Sequence, residues 1–295
     1  MRRRKTQRRR KTRFDFLIPN MGKGDLKMSA KFIMGKTRLP VSAVLLEEEV
    51  TVRIIPNCQV YTSHHFASGT EFGESNVFIN CAFKNGCKFG DGNTFLNETV
   101  FGDGCVFGVT CLFQDNCKFG NNCRFGSDCE FQNNCKFDFA CEFEYRCNFK
   151  NRCEFGDFCR IVGSSRFGTR CIFGSNCRIG KHNTFGQGCD FERKCVFGIG
   201  CRFGDGCGFK EECHFEDGCK FGNNCPLGEM CIVGDKCVFG SFCTFERGFK
   251  FGLNPTFGER CQIKGIQGQW EDLVAPGLNE LPLGMKVMGG LGEEG

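Results

Sequence analysis

Phe101-Gly102-Asp103-Gly104-Cys105-Val106-Phe107-Gly108-Val109-Thr110-Cys111-Leu112 holds two copies of one six-residue unit, Phe-Gly-x-x-Cys-x. From Phe83 to Ile263 every sixth residue is Phe, Ile, Leu or Val, with no slip across 31 positions. Twenty-six of these are Phe, and the exceptions are Ile161, Ile179, Leu227, Val233 and Ile263. Two residues before each lies a second slot, running from Cys81 to Cys261, which is Cys at 25 of 31 positions. The residue after the apolar one is Gly 18 times. A fixed short period marks a repeat architecture. Phe66, Phe72 and Phe78 keep the period but stand one residue out of frame with Phe83, which predicts a one-residue deletion in the first coil.

The alternation Cys-x-Phe reads in-out-in, the period of a short strand. Gly-x-x then turns the chain. The residue before the Cys slot is repeatedly Gly, Asn or Asp, as at Gly104, Asn122, Asn134 and Gly218, and these residues tolerate positive φ. Three such sides close a triangular coil of 18 residues. Stacked coils with parallel strands rise roughly 4.8 Å each. The expected fold is all-β, a single-stranded parallel β-helix solenoid, left-handed, of about ten 18-residue coils.

Apolar-Gly-x-x-small-x, as in Phe107-Gly108-Val109-Thr110-Cys111, resembles the hexapeptide repeat of left-handed β-helix proteins. These include acyltransferases and structural and ice-binding proteins. The Cys-x-Phe-Gly variant is also similar to repeat proteins of tailed phages. The resemblance covers about two-thirds of the chain and implies a solenoid; trimers occur among such proteins, so a homotrimer is an expectation.

Composition follows from the period. The 295 residues contain 41 Gly, 36 Phe and 26 Cys against one Trp and two Tyr. No stretch of 18 apolar residues exists to cross a membrane as a helix. The basic N-terminus lacks the apolar segment of a secretory signal.

The cysteines invite a metal or redox reading, but neighbours are six apart and on different sides of the prism, whereas structural zinc sites pair them two to four apart. Cysteines 18 apart, such as Cys105, Cys123 and Cys141, share a ladder with parallel Cβ vectors, poor geometry for a disulfide. They read as small buried hydrophobes that leave room for three rings per coil, where Leu would overpack. Free thiols imply a reducing compartment, hence the cytoplasm, or the host cytoplasm for a phage-encoded chain. Cys58 lies outside the repeat as the one accessible thiol. Asn93, Thr99, Ser165, Asn183, Phe249 and Pro255 replace Cys; Ser165 and Asn183 are ladder neighbours and predict a hydrogen-bonded inward pair.

Outward strand residues are varied, with no Thr-x-Thr array and no continuous apolar stripe. The corners are more specific. Phe139 and Phe158 occupy turn positions at one corner of adjacent coils, and Tyr145 lies one corner further on, a candidate partner-binding patch. His182 falls in a turn and His214 points outward, and no insertion interrupts the repeat to build a substrate pocket beside either. No paired carboxylates, Ser-His-Asp set, P-loop or dinucleotide fingerprint occurs. Neither a catalytic residue nor a cofactor or metal ligand is assigned.

Residues 2–13 hold nine of the 39 Lys and Arg, and the rest of the chain is slightly acidic. Arg2, Arg3, Arg4, Lys5, Arg8, Arg9, Arg10, Lys11 and Arg13 form a candidate nucleic-acid-binding arm, nonspecific and salt-sensitive. Its direct repeat of Arg-Arg-Arg-Lys-Thr also fits purine-rich DNA upstream of a start codon, with Met21 and Met28 as alternative starts. The expected organisation is a basic arm (1–28), a cap (29–60), the β-helix (61–265) and a Gly-rich tail (266–295). Function is expected to be that of a non-enzymatic structural or interaction scaffold, with a protein partner or self-association. An acyltransferase-like enzyme and a nucleic-acid-associated protein acting through residues 2–13 are the alternatives.

Overall fold

The computed structural model describes residues 54–55, 58–96, 98–264 and 285–288. Their strands form three parallel sheets of 11, 12 and 13 strands, designated faces A, B and C. The chain visits the faces in turn. Lys88–Phe89 lies in face A, Thr94–Leu96 in B, Val100–Phe101 in C, and Val106–Phe107 returns to A. Pairing therefore joins residues 18 apart, Val106 with Arg124 and Phe107 with Phe125. The fold is an all-β parallel solenoid, of about eleven turns rather than about ten. The ladder starts before residue 61, because Ile54–Ile55 already pairs with Glu71–Phe72. At the other end Met285–Met288 adds a strand to face C beside Cys261–Lys264. The basic arm, residues 29–53 of the expected cap and most of the tail lie outside the described residues.

Two sides of the prism are short. Tyr61 to Phe66 and Phe78 to Phe83 each span five residues, so Val60 pairs with Val77 and His65 with Ala82, an offset of 17. The offset becomes 18 where Ala82 pairs with Val100. The deletion expected from the frame of Phe78 and Phe83 is the second of these. The first is hidden in the sequence because Tyr61 stands where the repeat has Phe.

The core is a column of rings. Phe113, Phe131 and Phe149 on face B stack at centroid spacings of 4.7 Å, with planes within 4° of parallel. Within a coil, successive rings meet edge-to-face, as Phe119 does with Phe125 at 4.9 Å and 88°. Both geometries are favourable for aromatic quadrupoles. Most rings thus have a stacked partner one coil away and an edge-on neighbour on the next side; Phe245, between Leu227 and Ile263, has only edge-on neighbours.

Backbone hydrogen bonds follow the same repeat. Val106 N–H donates to Cys87 O at 2.9 Å, Gly108 N–H to Phe89 O at 2.9 Å, and Gly104 N–H to Asn121 O of the following coil at 2.8 Å. The last bond requires a left-handed residue. All 31 residues before the Cys slot, from Asn80 to Arg260, have positive φ, although 23 are not glycine. The glycine after Phe answers a different need. A Cβ on Gly126 would lie 2.7 Å from the Gly108 carbonyl carbon, so the coils approach too closely there for a side chain.

All 26 cysteines are free thiols and every one but Cys58 is buried. They do more than fill space. Cys123 Sγ donates to Gly102 O at 3.4 Å, Cys141 to Gly120 O at 3.3 Å and Cys195 to Gly174 O at 3.2 Å. Each accepting carbonyl belongs to a corner of the preceding coil, and the thiol is a weak donor to it. Among the polar replacements Asn93 keeps this bond, its Nδ2 donating to Gly73 O of the preceding coil at 2.9 Å, whereas Asn183 and Ser165 donate within their own coil. Asn183 Nδ2 donates to Gly180 O at 2.7 Å while its Oδ1 accepts Ser165 N–H at 2.9 Å. Ser165 Oγ in turn accepts Cys147 N–H at 3.1 Å. Ser165 and Asn183 are joined as expected, but through the backbone rather than side chain to side chain. Burial pushes the Cys147 thiol up to about 12. All 25 core thiols are buried and are expected to resist alkylation of the folded chain. Iodoacetamide on the native chain should add one group, at Cys58, and on the denatured chain 26, one for each free thiol. Intact mass reads both, and several adducts on the native chain would contradict this core.

Candidate functional site

With every inward position occupied by packing, chemistry is left to corners and outward strand residues. At many corners the first residue is Asp or Asn, and its side-chain oxygen accepts the N–H one coil on. On the B–C corner Asn133 N–H reaches Asp115 Oδ1 at 2.7 Å, Asn151 N–H reaches Asn133 Oδ1 at 3.1 Å and Thr169 N–H reaches Asn151 Oδ1 at 2.8 Å. This satisfies a donor that the turn would leave to water. The same corner carries an open trough of about 680 Å³, lined among others by Asn133, Asn151, Arg152, Thr169 and Arg170. No single residue marks it in the sequence; its signal is the recurrence of amide and guanidinium side chains at 18-residue spacing.

Phe139 and Phe158 meet on the C–A corner, with centroids 5.2 Å apart and planes tilted by 50°. They are 48% and 52% exposed. Phe139 N–H accepts support from below by donating to Asn121 Oδ1 at 3.1 Å, but its own side chain offers no oxygen to the next coil, so the ladder stops there. Phe158 holds φ at 60° and donates its N–H to Ser175 O at 2.9 Å. Tyr145, 45% exposed, ends the strand Glu142–Tyr145 at the A–B corner. The structure brings the two phenylalanines together, and among the described residues no ring contact joins Tyr145 to them.

The histidines are dispersed. His182 occupies a left-handed corner position with φ 59°, and His214 points outward from the face-A strand His214–Phe215. His64 bonds Thr62 O through Nδ1 at 2.7 Å and stacks on Phe66. Among the described residues, no group of three or more His, Cys, Asp or Glu is arranged to hold a metal ion. Residues 2–13, the candidate nucleic-acid arm, lie outside the described residues.

Surface charge is organised by rungs. Lys136 pairs with Glu154 at 2.7 Å and Arg146 with Asp128 at 2.8 Å, each across one coil. The Arg146 guanidinium bonded to Asp128 holds that carboxyl below its ordinary range. Comparison with family models, with curated proteins and with solved structures finds no match.

A large aromatic in the left-handed region is unfavourable by about 1–2 kcal/mol, and Phe158 recovers little of this through burial. Phe158→Asn should therefore raise the free energy of unfolding by about 1 kcal/mol, read from a denaturant titration. An equal or lower stability would mean that the Phe139–Phe158 contact outweighs the backbone strain.

Proposed function

We propose that this chain is a non-enzymatic structural or interaction scaffold, a rigid β-helical rod that presents binding surfaces at its corners. The observation that carries this reading is the exposed Phe139–Phe158 pair. Two adjacent coils place aromatic rings at slots where the repeat often uses Asn, Asp or Gly, one of them with φ 60°, and neither ring enters the core. Strain kept at an exposed position points to use rather than to folding. The partner is a protein surface or a second copy of the chain. We place the rod with the hexapeptide-repeat proteins it resembles, wound left-handed, encoded by a phage or bacterium and held in a reducing cytoplasm.

The test combines stability with association. Phe139→Ser/Phe158→Asn should fold at least as stably as the natural chain yet lose its partner on co-purification from source cells, or lose self-association in sedimentation velocity. An unchanged set of bound proteins and an unchanged sedimentation coefficient would remove the pair from the interface.

A second reading is favoured by the nine basic residues in 2–13. That arm binds nucleic acid through phosphate neutralisation. Deleting residues 1–20 should abolish a gel shift with duplex DNA, and the shift of the intact chain should weaken steeply with salt. Retained binding after the deletion would dismiss the arm.

A further inference from the structure

Ion pairs join several neighbouring rungs, as in Arg124–Glu142, Lys136–Glu154 and Lys194–Glu212. At others like charges stack, Lys118 on Lys136 and Arg202 on Lys220. The B–C corner sets such a stack inside a trough. Arg152 and Arg170 fill consecutive left-handed positions, with φ 59° and 58°, roughly 4.8 Å apart by the strand spacing. Arg166 stands on face B three residues before Thr169, outside the lining, in the strand Arg166–Phe167. All three are exposed, and among the described residues none has an ion-pair partner. Like charges on neighbouring rungs oppose folding, so stability does not account for them. Arg160 and Arg178 are also stacked on face A, but they do not line the trough.

The trough floor is rich in donors. Asn151 uses its Oδ1 to accept from both Thr169 N–H and Thr169 Oγ1, which leaves its NH2 group without a partner among the described residues. Gln187 extends the lining one rung further, and Asp115 and Asp205 close the two ends. Between those carboxylates the surface offers guanidinium and amide hydrogens to whatever lies along the solenoid axis. Such a surface is complementary to a linear chain that carries carboxylates among hydroxyl and ether oxygens, since guanidinium groups bind carboxylates in bidentate fashion. It is poorly suited to single-stranded nucleic acid, which is gripped by stacking on aromatic side chains. No ring lines the trough. Phe139, Phe158 and Tyr145 occupy the other two corners, and Phe242, on the same corner three turns beyond Gly188, faces Arg260.

We propose that the trough between Asp115 and Asp205 binds a linear acidic polysaccharide, with Arg152 and Arg170 holding successive carboxylates and Asn151 and Gln187 the intervening sugar oxygens. This deepens the scaffold reading and rests on it, because it names the chemistry of one partner of the rod.

The test is footprinting of the full chain with phenylglyoxal, read by peptide mass spectrometry, because the basic arm also attracts polyanions and bulk affinity would merge the two. The probe is an oligogalacturonate, with its methyl ester as the uncharged control and oligothymidylate as the nucleic-acid arm. Oligogalacturonate should protect Arg152 and Arg170 and leave Arg160 and Arg178 reactive, and the ester should protect none. In the full chain carrying Arg152→Ser, protection of Arg170 should require at least about tenfold more oligogalacturonate, since each charged hydrogen bond lost is worth that factor or more. Arg160→Ser/Arg178→Ser should leave it unchanged. Protection confined to residues 2–13, equal protection by the ester, or equal protection of Arg152 and Arg170 by oligothymidylate would each overturn the proposal. The mass of the recovered oligosaccharide separates the two readings. Binding with cleavage would end the scaffold reading and keep the trough, whereas no protection would end the trough and leave the scaffold standing.

Discussion

Parallel β-strands one coil apart are spaced by about 4.8 Å, and the phenyl rings of this core stack at 4.5–5.2 Å along the faces. The two spacings coincide, and the rest of the structure depends on that coincidence. A ring that stacks at the strand spacing needs an identical ring above and below, so Phe is placed where Phe has been placed before. Where the column is broken, the substitute is aliphatic and fills less width, as at Ile161 and Ile179, which are neighbours on face A. Leu227 stands alone between Phe209 and Phe245, so a single aliphatic residue also interrupts a stack.

The corners obey a looser rule. Their backbone groups are satisfied from coil to coil: the left-handed residue donates forward, as Ala140 N–H does to Asp157 O at 2.9 Å. Side chains there are consequently not required for the fold, and residues as different as Thr110, Phe158, His182 and Phe242 share one backbone conformation. The energetic cost of a non-glycine residue in that conformation is of order 1 kcal/mol, small beside the stacking and hydrogen bonding of a whole coil. A solenoid of this kind tolerates function at its corners because its stability resides elsewhere.

Much of this was legible from residues six and eighteen apart. The period named the inward positions, the triangular coil and the ladder neighbours, and the frame shift between Phe78 and Phe83 located a short side. Three features were not legible. The short side between Tyr61 and Phe66 was masked because its ring is a tyrosine, so no break in a Phe series announced it. The donor role of Cys123 or Cys195 depends on where a corner carbonyl of the preceding coil falls, which composition does not contain. The trough depends on which outward residues share a corner and on whether neighbouring rungs neutralise each other. The spacing of Arg152 and Arg170 was present in the sequence, but not that both line one trough with no ion-pair partner among the described residues.

That contrast bears on why this core uses cysteine. Alanine would fit beside three rings, yet it would leave the corner carbonyls of the preceding coil, such as Gly102 O, without the donor that Cys123 supplies. Serine would supply a stronger donor at the cost of burying a more polar hydroxyl. The chain uses Ser165 and Asn183 together, where each side-chain oxygen accepts an N–H of the preceding coil. The thiol lies between these limits, a weak donor on an otherwise apolar, compact side chain. A column of rings that must close on itself every 18 residues selects for such a residue at nearly every turn, and the same demand keeps the thiols inward, away from the outer surface of the solenoid.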